Sequence, residues 1–443
     1  MLRSALVCTL AGLTAVNAIA TISAKGPKFF TSEGDQFYVK GIAYQLLPDD
    51  PLVDTTQCTL DASLMKTIGT NSIRVYHVNP NADHTGCMSA FADAGIYIWV
   101  DLDTFNTTIW QDEPKWTSTQ FDAFAEVLDE FQQFDNTAGF FIGNEVINTP
   151  AGSKAAPYVK AAVRDMKAYR NSKNYRSIPI GYSAADIASL RPMLQDYFVC
   201  GDDADALEFF SLNAYSWCGQ SSYEQSGYSM LEANSTELQV PIFMSETGCN
   251  AVRPRDFADQ NALFGDMADT WSGSIIYEWI EEENNYGLIS YGGKIDPASP
   301  SAPADGFVRS GTPTPIVPDF ANLSNVWKTL NPTGVKKNAY NPTATAPKCP
   351  DFTSVAWEVD ASAALPTMGQ VGPVSSRASA SSTASRSGSA SGSGSASSTA
   401  TSTGSQTAAS ATATQGAAPG SLSRELKGVG AALAGVMAFF AWL

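Results

Sequence analysis

Apolar or alternating runs of strand length recur along the chain at residues 37–44, 72–78, 97–102, 139–143, 178–182, 209–214, 242–245 and 274–279. Between them the apolar positions change to helical spacing. This is clearest at 121–134, where Phe121, Phe124, Ala125, Leu128, Phe131 and Gln132 follow one face, and at 155–169. Strand and helix therefore alternate along the chain, and the strands are apolar on both faces. That combination predicts an α/β fold in which eight parallel strands close into a (β/α)8 TIM barrel with the helices outside. A doubly wound open sheet shows the same alternation. Against it, the turn after the first strand, Ile42-Ala43-Tyr44-Gln45, has no glycine-rich phosphate loop.

The ends of the chain depart from this pattern. Arg3 precedes an apolar run over 5–16 and small residues up to Ala18 and Ala20, the layout of a secretory signal peptide over 1–20. The run is shorter than the roughly 20 residues that span a bilayer. From about 375 to 415 the chain is almost wholly Ser, Thr, Ala and Gly, too poor in large apolar groups to offset the entropy of ordering. A disordered Ser/Thr-rich stalk over 351–415 is expected. Gly416-Ala417-Ala418, a polar stretch and an uncharged apolar tail from Val429 then read as a glycosylphosphatidylinositol attachment signal over 416–443, with a short membrane-spanning tail as the rival. One catalytic domain over 21–350 remains.

Composition narrows the class of ligand. Lys+Arg 27 against Asp+Glu 44 gives a net charge of −17 without a basic cluster, which disfavours nucleic acid and is compatible with a neutral polymer. Beyond Cys8 in the leader, Cys58, Cys87, Cys200, Cys218, Cys249 and Cys349 form an even set without CxxC spacing. With only His77 and His84 beside them, disulfides in an oxidising compartment fit better than a metal site, and no metal or cofactor is expected. Proximity along the chain suggests Cys58 with Cys87 and Cys218 with Cys249, leaving Cys200 for Cys349. Asn106, Asn234 and Asn322 each lie in Asn-x-Ser/Thr and are candidate glycosylation sites.

In a barrel of this kind the loops after the strands carry the chemistry. The polar residues that end the predicted strands are Gln45, Tyr76 with Asn79, Asp101 with Asp103, Asn144 with Glu145, Asn213 with Tyr215, Glu246, and Tyr277 with Glu278; Asp186 lies a little past the fifth strand. Such a rim suits a hydroxyl-rich, neutral ligand. Glu145 ends the fourth strand and Glu246 the seventh, so they face each other across the mouth. Glycoside cleavage needs such a pair, and a retaining enzyme holds the two carboxyls roughly 5–5.5 Å apart. A lone strand-end glutamate is more often a salt-bridge partner; the two together point to catalysis. Their roles require Glu145 in a less polar setting that keeps its proton and Glu246 ionised by donors such as tyrosine hydroxyls. Asn144 can donate to the sugar 2-hydroxyl. Tyr76, Tyr215 and Tyr277 offer faces for sugar rings, although core packing competes for each, and Trp110 and Trp217 lie in polar loops as stacking platforms.

Val39-Lys40-Gly41-Ile42-Ala43-Tyr44-Gln45, Ser72-Ile73-Arg74-Val75-Tyr76-His77-Val78-Asn79, Gly143-Asn144-Glu145-Val146, Asn213-Ala214-Tyr215-Ser216-Trp217-Cys218-Gly219, Ser245-Glu246-Thr247-Gly248-Cys249 and Asn285-Tyr286-Gly287-Leu288 occur in this order. Together, over residues 25–350, they resemble the fungal β-1,3-glucanosyltransferases of glycoside hydrolase family 72. The resemblance implies cleavage of a β-1,3-glucan donor, a glycosyl-enzyme, and transfer to the non-reducing end of an acceptor glucan. It gives Glu145 the acid/base role and Glu246 the nucleophile role, with Gln45, Tyr76, Asp101, Asn144, Tyr215 and Tyr277 lining the subsites. The loop from Asp103 to Gln111, with Trp110, and Asp186 with Arg191 would also contact glucan. A monomer is expected at the cell surface, lipid-anchored in the outer leaflet, without the cysteine-rich carbohydrate module that some members carry. Two rivals are a secreted endo-β-1,3-glucanase, which would make no products longer than its substrate, and a non-catalytic wall scaffold, which would not need both carboxylates.

Overall fold

A computed structural model describes residues 19–299, 303 and 305–370. The leader up to residue 18, the low-complexity stretch and the apolar tail lie outside the described residues. The chain opens with a small antiparallel sheet, β1 (Ile22–Lys25), β2 (Lys28–Thr31) and β3 (Gln36–Phe37). Eight parallel strands follow: β4 (Val39–Ala43), β5 (Ser72–Val75), β6 (Tyr97–Asp101), β7 (Thr137–Asn144), β8 (Ile180–Ala185), β9 (Phe209–Asn213), β10 (Ile242–Thr247) and β11 (Trp271–Ile276). They close in sequence order, with β11 pairing back onto β4. A helix follows each strand: α1 (Thr55–Thr67), α2 (Thr85–Ala94), α3 (Ser118–Phe131), α4 (Ala156–Ser172), α5 (Arg191–Val199), α6 (Tyr228–Ala233), α7 (Asp259–Leu263) and α8 (Asp319–Thr329). This is the (β/α)8 barrel that the alternation predicts.

The strand alternation divides the apolar residues into two cores. Phe210, Leu212, Ile242 and Met244 point outward to the helices, whereas Phe209 and Phe243 point inward beside Trp99 and Phe141. Glycines on the inner face make room for these rings: a Cβ on Gly139 would lie 2.6 Å from the Trp99 ring, and one on Gly181 2.3 Å from Phe209. The N-terminal sheet does not stand out in the sequence, and its place explains why it exists. Phe29 from β2 stacks edge-on against Trp99 at 5.2 Å and against Phe209 and Phe243 at 6.0 Å, so the sheet stoppers the barrel end opposite the catalytic rim.

Helix ends follow local rules. Thr117 and Gln120 form a capping box at the start of α3, and Gly95, at φ 79°, ends α2. The three disulfides are the pairs that proximity suggested: Cys58–Cys87 joins α1 to α2, Cys218–Cys249 joins the loops after β9 and β10, and Cys200–Cys349 ties the end of α5 to the segment beyond α8.

The expected domain boundary at 350 falls short. Residues 351–370 pack on the helices: Trp357 is fully buried, with its ring 5.4 Å from Tyr197. Glu358 pairs with Lys154 at 2.6 Å, and the Gly369 amide donates to the Trp116 carbonyl at 2.7 Å. One buried tryptophan in a polar stretch is enough to dock a segment that composition assigned to the stalk. Among the described residues no helix is long and apolar enough to cross a membrane.

Candidate active site

The rim residues converge at the carboxyl ends of the strands, and irregularities in the ladder aim them there. Strict alternation would send Asn144 and Glu145 to opposite faces. The β7–β8 register shifts between Phe141 and Asn144, and Glu145 takes a left-handed φ of 48°, a conformation that non-glycine residues rarely hold. As a result Asn213 reaches both, its Nδ2 donating to Asn144 Oδ1 at 3.0 Å and to Glu145 Oε1 at 2.9 Å. A second shift, between Met244 and Glu246 against β9, turns Glu246 out of the Met244 face and into the mouth.

Glu246 is held by donors on both oxygens. Tyr76 donates its hydroxyl to Oε1 at 2.9 Å and Tyr215 donates to Oε2 at 2.8 Å. Arg74 Nη1 lies 3.4 Å from Oε1. The arginine's main partner is Asp101, reached through Nε at 3.0 Å and Nη2 at 2.8 Å, and it also serves Asn144 Oδ1 and Ser183 Oγ. Its plane sits between the Tyr76 and Phe141 rings, at 4.4 and 4.2 Å. Burial works against its charge, but Asp101, Tyr76 and Glu246 outweigh that and raise its pKa above arginine's ordinary value.

Burial falls on the other carboxylate than the one expected. Glu246 is 9% exposed beneath the tyrosine rings, whereas Glu145 is half-buried. Burial, with the charge of Glu145, pushes Glu246 up to about 7 against the pull of Arg74, Tyr215 and Tyr76.

Several rim residues have structural partners instead of open faces. Asp101, 2% exposed, spends both oxygens on Arg74 and braces the floor beneath Glu246. Asp103 accepts from Thr108 and is buried within its own loop. Gln45 accepts from the Tyr76 and His77 amides at 2.8 and 3.1 Å and fixes the end of β5. Asp186 and Arg191 bond to each other. Trp217 packs on Tyr228 at 5.1 Å and serves as core, but Trp110 is 61% exposed on the loop that Gln111 ties to Asn148 and Thr149. Tyr277 meets Tyr76 and Tyr215 edge-on at 6.5 Å, and all three are half-buried around Glu246.

Asn106 and Asn234 are exposed. Asn322 is not placed for glycosylation: it lies within α8 and its Nδ2 donates to the Arg255 carbonyl at 2.8 Å.

Arg74, Ser183, Ser245 and Tyr286 join the site although they were not among the expected site residues. The signal for Arg74 was present, since an arginine inside the apolar run Ile73-Arg74-Val75 must find a buried partner. The serines gave none. Ser183 and Ser245 both donate to Asn213 Oδ1, at 2.9 and 2.8 Å, which fixes its amide toward Glu145.

Residues 11–299 match the Glyco_hydro_72 family, described as glucanosyltransferase. The chain belongs to the glucanosyltransferase family. Among similar members, 1,3-beta-glucanosyltransferase gas2 of Schizosaccharomyces pombe is 39% identical over 359 residues, which cover 77% of this chain and 74% of that one. Protein EPD1 of Candida maltosa is 45% identical over 307 residues, 66% of this chain and 56% of its own. This glucanosyltransferase-family chain thus spans between about half and three quarters of the length of these relatives. The solved structure of a Saccharomyces cerevisiae Gas2p mutant in complex with laminaritetraose and laminaripentaose superposes with a TM-score of 0.70 at 37% identity, covering 79% of this chain and 74% of that one.

Proposed function

We propose that this glucanosyltransferase-family protein is a retaining 1,3-β-glucanosyltransferase, with Glu246 as nucleophile and Glu145 as general acid and base. The observation that carries the reading is the pair itself: Glu246 gripped by Tyr76 and Tyr215, and Glu145 presented by Asn213 close enough to shift it. The tyrosine hydroxyls and Arg74 around Glu246 favour the charge there, and Glu145, half-exposed on the cleft, is placed to hand a proton to the leaving oxygen.

The Glu246 carboxylate attacks the anomeric carbon of a β-1,3-linked glucose as Glu145 passes its proton to the departing glycosidic oxygen. The reducing-end fragment leaves and the rest stays as a glycosyl ester. Glu145, now a carboxylate, takes the proton of a 3-hydroxyl at the non-reducing end of a second glucan, and that oxygen displaces Glu246. With its oxygen engaged by Arg74 and Asn213, Asn144 has its amide N–H groups to offer the sugar 2-hydroxyl. Exposed Trp110 supplies a stacking face on the rim.

The relative solved with laminaritetraose and laminaripentaose supports a β-1,3-glucan as both donor and acceptor. The apolar leader over 1–20 and the tail over 416–443 support export and a lipid anchor at Gly416, Ala417 or Ala418, which would place a monomeric enzyme at the outer cell surface. The test is to incubate the protein with reduced laminari-oligosaccharides and size the products. Chains longer than the substrate are expected from wild type and none from Glu145→Gln or Glu246→Gln. Shorter sugars alone from wild type would identify a hydrolase.

A further inference from the structure

Another carboxyl buried at the mouth takes no part in the chemistry above. Glu278 follows Tyr277 immediately after β11 and is 3% exposed. Its backbone is bonded twice to the returning loop, the Glu278 amide donating to the Tyr286 carbonyl and the Leu288 amide to the Glu278 carbonyl, both at 3.1 Å. Its side chain reaches the same loop: Asn284 Nδ2 donates to Glu278 Oε1 at 2.7 Å, and Asn284 Oδ1 accepts from the Tyr286 amide at 3.0 Å. Asn284 thus relays the Glu278 carboxyl to the backbone of Tyr286.

Tyr286 is where that relay matters. Its ring lies 5.3 Å from Tyr277 and 5.7 Å from Tyr215, whose hydroxyl holds Glu246. The loop makes a tight turn, with Asn285 at φ 59°, and approaches so closely that a Cβ on Gly287 would lie 2.1 Å from the Glu281 Cα. A segment under that constraint needs fixed anchors to keep an aromatic ring in place.

We propose that Glu278 is a positioning residue: acting through Asn284, it holds the 281–287 loop so that Tyr286 completes the aromatic wall around the nucleophile. The inference deepens the transferase reading and rests on it. The carboxyl does this work uncharged. Burial first, then the charges of Glu282 and Glu246, push Glu278 up to about 8, against Asn284 and the more distant Arg309. A neutral acid accepts from Asn284 without adding a second negative charge beside Glu246.

The test compares Glu278→Ala with Glu278→Gln, whose amide oxygen can still accept from Asn284. Hydrogen exchange of the 281–287 amides reads the loop without turnover, and kcat/KM on laminari-oligosaccharides reads its consequence. Glu278→Ala should speed exchange in this loop and lower kcat/KM roughly tenfold, the scale of one buried hydrogen bond left unmade, whereas Glu278→Gln should keep both near wild type. If Glu278→Ala does not fold, Asn284→Ala breaks the same relay and should give the same pair of changes. Unchanged exchange in the alanine variant would overturn the proposal. So would a glutamine variant as slow as the alanine one with its loop intact, because that result would assign the charge itself to the chemistry. Failure of wild type to lengthen its substrate would refute the transferase reading and leave the exchange result to judge the relay.

Discussion

Removing one oxygen, in Tyr215→Phe, isolates what holds the nucleophile in its charged form. The hydroxyl lies 2.8 Å from Glu246 Oε2, and the ring that remains keeps its edge contacts with Tyr277 and Tyr286. A hydrogen bond to a charged group contributes about 1.5–3 kcal/mol. At about 1.4 kcal/mol per pKa unit, its loss should raise Glu246 by about one to two units above the present value of about 7. The acidic limb of kcat/KM, which reports the free enzyme, should move upward by that amount. At pH values below the limb the rate should fall roughly ten- to hundredfold, and the loss should shrink as pH rises. The assay is kcat/KM on reduced laminari-oligosaccharides across the acid to alkaline range, with thermal unfolding as a control. A limb that stays in place, with the same loss at every pH, would show that the hydroxyl acts on the sugar and not on Glu246. Tyr76→Phe should shift the limb less, because Arg74 also faces Oε1.

Three further outcomes follow from the same contacts. Glu246 at about 7 and Glu278 at about 8, against an ordinary 4.5, make the folded state bind protons more tightly than the unfolded one. Their contribution to stability is complete below about pH 4.5 and is lost as pH rises toward about 8, so Tm should fall over that window and Glu278→Gln should flatten the slope; a rising Tm would contradict this. Trp357→Ala should destabilise the barrel by about 3 kcal/mol in denaturant unfolding, and a change near zero would return residues 351–370 to the stalk. Glycopeptide mapping should find Asn322 bare, because its amide nitrogen is spent on Arg255 inside α8, and a glycan there would refute that placement.

Eight strands, their order and the two glutamates that end the fourth and seventh were legible because they depend on local signals: period-two apolar runs, helical spacing between them, and short motifs at strand ends. Disulfide pairing followed from nearness along the chain. The small sheet beneath the barrel was not legible, since Ile22–Thr31 is too short to stand out until the barrel needs a stopper. The hold of Asp101 on Arg74 and of Gln45 on the end of β5 was not legible, because a strand-end polar residue looks the same whether it faces a sugar or a neighbouring side chain.

The sequence by itself determined which carboxyls meet at the mouth, because closing eight parallel strands leaves their ends in one place. Only the tertiary structure decided how they are aimed and what sets the charge of Glu246. Register slips at Asn144 and Glu246 depend on how each strand pairs with its neighbour across an intervening helix, and the burial that lifts Glu246 comes from rings on three different loops. Proton affinity depends on everything within a few ångströms, which no stretch of neighbouring residues encodes.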